Sequence, residues 1–433
     1  MSDSRTPPHE RKSSEPTHQP LARRSVADRG VWLRGGLSMA SDAFVGSVNI
    51  VNGIHQTVTQ AVGRLAPPAR PIGRGSDFVY GRVRDIGRLS FFGVRQASGL
   101  AETLVPGRKR DMPQRLALGI HSALNGAFGD YLERSDNELA LAMTLVDDAG
   151  RDIEVSAQGL RAALDEPTSR VVILVHGLGM NDQQWRQAGR DDFGQRLAHD
   201  FGYTALRLRY NSGRHISQNG RDFAALLQAL YTFYPAAIER LTIVGHSMGG
   251  LVARSACHYG KQAGHDWLDA LTDMVLLGSP HLGAPLERLG RQVTHTLTRL
   301  PYTQPLSAIG EIRSAGVKDL SHGHLRDEDW QRDTDPAPTP PEALASPDHV
   351  GHFLVAATLG RRGDDPLGRW FGDLLVPVSS AVGHADVPSR RFTARDQDGR
   401  IFYGMNHFAL VHHDDVYAAI AEWLAPRLTS ATH

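Results

Sequence analysis

Two short segments of this chain combine residue types that could attack and stabilise an acyl group. Residues 241–250 read LTIVGHSMGG, which places Ser247 at the centre of a G-x-S-x-G pattern. A serine hydroxyl holds its proton too tightly near neutral pH to be a good nucleophile, so it needs exposure, a base and an anion trap. A tight strand-to-helix turn supplies the exposure, and Gly245 and Gly249 carry no β-carbon to clash within it. The context fits, because the pattern follows an apolar run and precedes a helix-like stretch at 251–261. Residues 171–180, VVILVHGLGM, form a second apolar run ending in a glycine-rich turn. A backbone N–H there, that of Leu178, could face a tetrahedral oxyanion together with the N–H of Met248.

With such a turn the acid and then the base are expected later in the chain. The 21 histidines decide nothing by number, so position must. His407 follows a short apolar stretch that begins at Ile401, and a final helix is expected over about 414–428. It therefore lies on the loop between last strand and last helix. His412 and His413 read as polar residues beside Asp414 and Asp415, a carboxylate pair suited to a helix N-terminus. For the acid, Asp373 comes shortly after the apolar run 353–359, where a carboxylate could accept the Nδ1–H of the base. Asp364, Asp365 and Asp386 are its rivals, each equally readable as a solvated loop carboxylate.

From about Ser169 onward the chain resembles α/β-hydrolase lipases and esterases, especially the PGAP1-like, GPI inositol-deacylase-like group. The resemblance rests on VHGLG at 175–179, GHSMGG at 245–250, LLGSPHLGAP at 276–285, and DLLVPVSSA at 373–381 followed by NHFALVHHDDVY at 406–417. It implies Ser247 as nucleophile, Asp373 as acid, His407 as base, and Leu178 and Met248 as oxyanion donors, with no cofactor. Leu374 stands where the group usually has a glycine after the acid. The substrate implied is an acyl ester, with a lipid among the candidates. Thioester, amide or acyl-acceptor chemistry would use the same residues, and a scaffold that kept the fold without activity is the contrasting reading.

Lysine plus arginine balance aspartate plus glutamate at 47 each, so nothing argues for a nucleic-acid partner. No phosphate-cradling loop or metal-spaced cysteine set is present. The one cysteine, Cys257, falls on the helix after Ser247 and reads as a small buried hydrophobe. At 433 residues the chain exceeds one ordinary compact core. Residues 1–28, rich in proline, serine and charge, lack the apolar core of a secretory signal and read as a disordered tail. No run reaches the roughly 18 apolar residues of a membrane span, so a cytoplasmic location is expected. Residues 29–135 read as a small helical region of about three helices, the last carrying Ile120, Leu124, Phe128 and Tyr131 at helical spacing. Packing on the hydrolase is the simpler role for these helices, and peripheral membrane contact the sharper one.

Residues 136–433 are expected to form an α/β-hydrolase fold with a mostly parallel central sheet. A hairpin over 139–146 and 152–156, turning at Asp147-Asp148-Ala149-Gly150, opens it. The parallel strands are read at 171–176, 203–210, 241–246, 273–278, 352–359 and 401–405, with the alternating strand 203–210 nearer an edge. Between about 284 and 350 glycine, proline and charge increase, and a lid-like insertion is expected. Leu289, Val293, Leu297, Leu300, Leu306 and Ile309 are its candidate acyl-contacting or packing residues.

Overall fold

The computed structural model describes residues 114–187, 189–284, 314–331, 344, 347–360, 373, 375–385, 391–392 and 396–429. The expected tail, residues 29–113 of the helical region, Leu289 to Ile309 of the insertion, and Asp364, Asp365 and Asp386 lie outside the described residues. In chain order the helices are α1 (Gln114–Arg134), α2 (Ala157–Ala163), α3 (Phe193–Phe201), α4 (Ile216–Phe233), α5 (Met248–Ala263), α6 (Trp267–Ala270), α7 (Ala315–His322), α8 (Asp327–Gln331), α9 (Val378–Ala381) and α10 (Asp414–Thr429). The strands are β1 (Thr144–Val146), β2 (Asp152–Ile153), β3 (Arg170–Val175), β4 (Thr204–Arg209), β5 (Arg240–His246), β6 (Leu271–Leu277), β7 (Gly351–Thr358) and β8 (Asp396–Tyr403).

The strands form one sheet in the order β2-β1-β4-β3-β5-β6-β7-β8. The hairpin is antiparallel, as is its pairing with β4, and all the remaining pairs are parallel. Parallel strands buried on both faces read as continuous apolar runs rather than alternating ones. In β3, Val171, Ile173 and Val175 enter the core layer shared with α4 and α5. Val172 and Leu174 enter the opposite layer, with residues of α3 and α10. Fully burying such a side chain stabilises by about 1.5–3 kcal/mol, so the runs fix the sheet interior.

The hairpin is shorter than the sequence pattern, pairing only Leu145 with Ile153 and Val146 with Asp152. Strand β4 stands third from that end, between β1 and β3. Its alternation has another cause than exposure. Arg207 and Arg209 are buried, and each is held by carboxylates. Arg207 pairs with Asp192 at 2.8 Å and with Asp148, while Arg209 pairs with Asp182 at 2.7 Å and Asp152 at 2.6 Å. Asp192 also caps α3 by accepting from the Gln195 N–H. These pairs pin the segment 181–192 onto the strand beside the HGLG turn.

Helix α1 falls within the region expected to be helical. Ile120, Leu124 and Phe128 are buried with Leu139, as their spacing predicts, and Tyr131 packs at the margin of that cluster. The polar face is also engaged. Asn125 donates to Leu139 O at 2.7 Å and accepts from Leu141 N at 2.9 Å. A β-carbon at Gly126 would come within 2.6 Å of Gly179 Cα, so the helix backbone lies directly against the HGLG turn. From the insertion, α7 docks on the same neighbourhood. Ser314 Oγ donates to Gly126 O at 2.7 Å, and Asp319 accepts from the Ile216 N–H at 2.8 Å. Cys257 is buried against Met274, as its place on α5 predicts. Among the described residues, no helix is long and apolar enough to cross a membrane.

Candidate active site

The turn between β5 and α5 holds Ser247 at φ 54° and ψ −122°. A non-glycine residue there costs on the order of 1–3 kcal/mol and persists only where its surroundings over-determine it. They do so by close backbone approach. A β-carbon at Gly245 would lie 2.6 Å from the Gly250 backbone, and one at Gly249 would lie 2.3 Å from Val175 O. The Ser247 N–H donates to Leu277 O at 2.8 Å, fastening the turn to the end of β6.

After β3, the amides of the second glycine turn are divided among distinct partners. Gly177 N–H points to Gln184 Oε1 at 3.4 Å, Gly179 N–H donates to Ser212 Oγ at 2.9 Å, and Met180 N–H donates to Gly177 O at 3.3 Å. The Leu178 N–H has no acceptor among the described residues. His176, fully buried, explains why this turn holds its shape. Its Nε2 accepts from the Tyr210 N–H at 3.3 Å, so the proton resides on Nδ1, which donates to Gly177 O at 2.9 Å. The Tyr210 hydroxyl donates to His176 O at 2.9 Å and its ring stacks on the imidazole. Burial pushes the His176 pKa down to about 4, so the ring is neutral at pH 7.

The late segments supply an acid–base pair. His407 Nδ1 and Asp373 Oδ2 are 2.6 Å apart, and both side chains are buried. Asp373 Oδ1 accepts from Leu375 N at 3.0 Å and Val376 N at 2.8 Å, so both oxygens are engaged. The His407 N–H also donates to Asp373 O at 3.2 Å, which joins the two loops through main chain as well. A carboxylate can only accept from Nδ1–H, and this leaves Nε2 unprotonated on the opposite edge of the ring. Gly278, at φ 60°, presses on the imidazole; a β-carbon there would be 3.1 Å from His407 Nδ1.

Ser247, His407, Gly177 and Leu178 line one cavity, together with His246, Leu320 of α7 and Val376. Asp373 lies behind His407, and Met248 follows Ser247 as the first residue of α5. All five residues expected from the sequence are therefore brought together. His412 and His413 are not. His413 is exposed and accepts from the Asp415 N–H, while His412 lines a separate surface groove with Arg190 and Asp414. Three residues escaped the sequence reading: His176 and Gln184, which pack against the glycine turn, and His246, which helps to line the cavity. His246 was visible only as the variable position of G-x-S-x-G, and its partners are distant in sequence. Among the described residues, no group of acidic, histidine or cysteine side chains is arranged to hold a metal ion.

The chain shows similarities to known proteins. Solved structures similar to the chain include a Bacillus licheniformis lipase in mature form (18% identity, covering 66% of this chain and 98% of that one, TM-score 0.37). An esterase from Pyrobaculum calidifontis (15%, 63% and 80%, TM-score 0.37) and one from Thermogutta terrifontis (15%, 60% and 91%, TM-score 0.34) are also similar. No curated protein matches the sequence. Residues 166–339 match the sequence profile of the family described as PGAP1-like alpha/beta domain. The chain thus has an α/β fold with a mostly parallel eight-stranded sheet, and its residues 166–339 are similar to the PGAP1-like alpha/beta domain.

Proposed function

We propose that the protein is a serine hydrolase that cleaves carboxylic esters through an acyl-enzyme on Ser247. The observation that carries this reading is the buried 2.6 Å His407–Asp373 pair, whose imidazole shares a cavity with the strained Ser247. His407 Nε2 takes the hydroxyl proton as Oγ attacks the ester carbonyl, and Asp373 holds the ring's tautomer and stabilises the imidazolium. The resulting oxyanion is received by the N–H groups of Leu178 and Met248, each such donor being worth about 10²–10³ in rate. His407 then passes its proton to the departing alcohol. Water, deprotonated by the same ring, attacks the acyl-enzyme and regenerates the serine. No cofactor is needed for these steps.

Leu320 gives the cavity an apolar wall, which suits an acyl chain better than a charged group. Helix α7 would then act as part of a lid over the cavity. The decisive experiment is hydrolysis of a p-nitrophenyl ester series, from acetate to palmitate, by the wild type and by Ser247→Ala. Turnover should fall by about 10⁶ in the variant, and the chain-length optimum should divide esterase from lipase. Equal rates in both proteins would remove Ser247 from the mechanism.

A further inference from the structure

His246 belongs to the nucleophile motif and lines the cavity, yet both of its ring nitrogens are engaged elsewhere than with Ser247. Its Nε2 lies 3.1 Å from His407 O, and its Nδ1 lies 3.4 Å from Gln184 Nε2. A carbonyl oxygen can only accept, so Nε2 carries the proton and Nδ1 accepts from the Gln184 amide. That orientation turns Gln184 Oε1 toward the Gly177 N–H, at 3.4 Å. The 3.4 Å links have the slack common in catalytic sites before substrate arrives. Burial, followed by the neighbouring His407, drives the His246 pKa well below the usual histidine range, so the ring works as a neutral donor and acceptor. Gln184 itself is placed by the short 3-10 turn Asp182–Trp185, whose Asp182 is pinned by Arg209 and whose Trp185 sets its ring edge against His246.

We infer that His246 and Gln184 are positioning residues, a polar brace that fixes the main chain of the base loop at a set distance from the oxyanion turn. One end grips His407 through its carbonyl and the other grips the residue before Leu178. Gln184 also occupies the Gly177 N–H, and so leaves Leu178 as the amide free to meet the oxyanion. Both act through His407 and Gly177, to which their polar atoms are bonded, and not by proton transfer to the substrate. This inference rests on the serine hydrolase reading given above.

The test compares wild type, His246→Phe, His246→Gln and Gln184→Glu in ester turnover and in the rate of Ser247 labelling by a fluorophosphonate. Phenylalanine keeps the ring's bulk without its hydrogen bonds. Glutamate is isosteric with glutamine but turns an acceptor toward Nδ1, so a proton must enter, and a charged His246 would oppose the imidazolium on His407, 4.6 Å away between ring centroids. For both variants kcat and the labelling rate should fall by about ten- to a hundredfold, the range expected of a displaced catalytic group, with KM changed by less than about twofold. His246→Gln, which can both donate and accept, should recover most of the loss. Wild-type rates in His246→Phe and Gln184→Glu would overturn the brace while leaving the hydrolase reading intact. Should the phenylalanine variant fail to fold, the isosteric Gln184→Glu decides alone. A wild type that neither turns over ester nor takes the label would remove the hydrolase reading, and the brace with it.

Discussion

The two sides of the site are built in different ways. On one side, Ser247 and Leu178 sit on turns that end β5 and β3, adjacent strands in the middle of the sheet, and the fit is made by backbone packed on backbone at Gly245, Gly249 and Gly126. On the other, Asp373 and His407 sit on loops near β7 and β8, at one end of the sheet, and are joined by hydrogen bonds across 34 residues of chain. The first side is rigid because nothing larger than glycine fits. The second depends on polar contacts, and a polar contact can be deleted one at a time without disturbing packing.

That difference can be broken open from the polar side first. Asp373→Asn should leave the fold intact and lower kcat by about 10⁴, because the amide can present N–H to Nδ1 and so favour the wrong imidazole tautomer. Measuring kcat alongside the thermal midpoint checks both halves of that statement. A loss of folding in place of activity would mean that Asp373 is structural.

The packed side should respond in the opposite sense. Gly126→Ala is far from the reacting atoms, yet its methyl would meet Gly179 Cα and N, backbone atoms that cannot rotate away. We expect a loss of roughly 1–3 kcal/mol in stability, as for other overpacked positions. About a tenfold loss in kcat should accompany it, because the displaced turn carries the Leu178 N–H. Unchanged denaturant midpoint and kcat would show that α1 is not pressed on the turn.

The smallest effect expected concerns acid. His121 and His176 are buried, chiefly by desolvation held near a pKa of about 4 against 6.5 for a free ring. Between these values the unfolded chain binds protons that the folded chain refuses, so stability rises with pH through this window and is lost as pH falls from 6.5 toward 4. Because His176 underlies the glycine turn, acid should loosen the packed side. Urea midpoints at pH 7, 5.5 and 4.5 would show the decline; a flat profile would mean that these rings charge without cost.

The same division governs what could be read from the sequence. GHSMGG and VHGLG were legible because the constraint is local: an apolar run, then glycines where no β-carbon is tolerated. The parallel strands were legible for a similar reason, being continuous runs of Val, Ile and Leu. His407 and Asp373 could be reached only through their order along the chain and a resemblance, since a loop carboxylate has no local pattern; the structure pairs His407, and neither His412 nor His413, with Asp373. Strand β4 misled in a small way, because an arginine alternating with leucine looks solvent-facing until Asp182 and Asp192, some 15 to 27 residues away, are found beneath it. The roles of Gln184 and His246 left no trace in the sequence pattern. Their meaning lies in a tautomer, and a tautomer is set by partners that only the fold assembles.

The clasp on α1 has a consequence for how the protein is made. The helix leaves the ribosome early, but the Gly129 carbonyl must wait 82 residues for Asn211, and the Gly126 carbonyl 188 residues for Ser314. Closure entropy over such spans is not recovered until both ends are present, and domains complete themselves as units during synthesis. The wall behind the oxyanion turn therefore finishes only after the nucleophile, and part of the insertion, have been translated. A nascent chain can carry Ser247 well before it has a place for an ester to react.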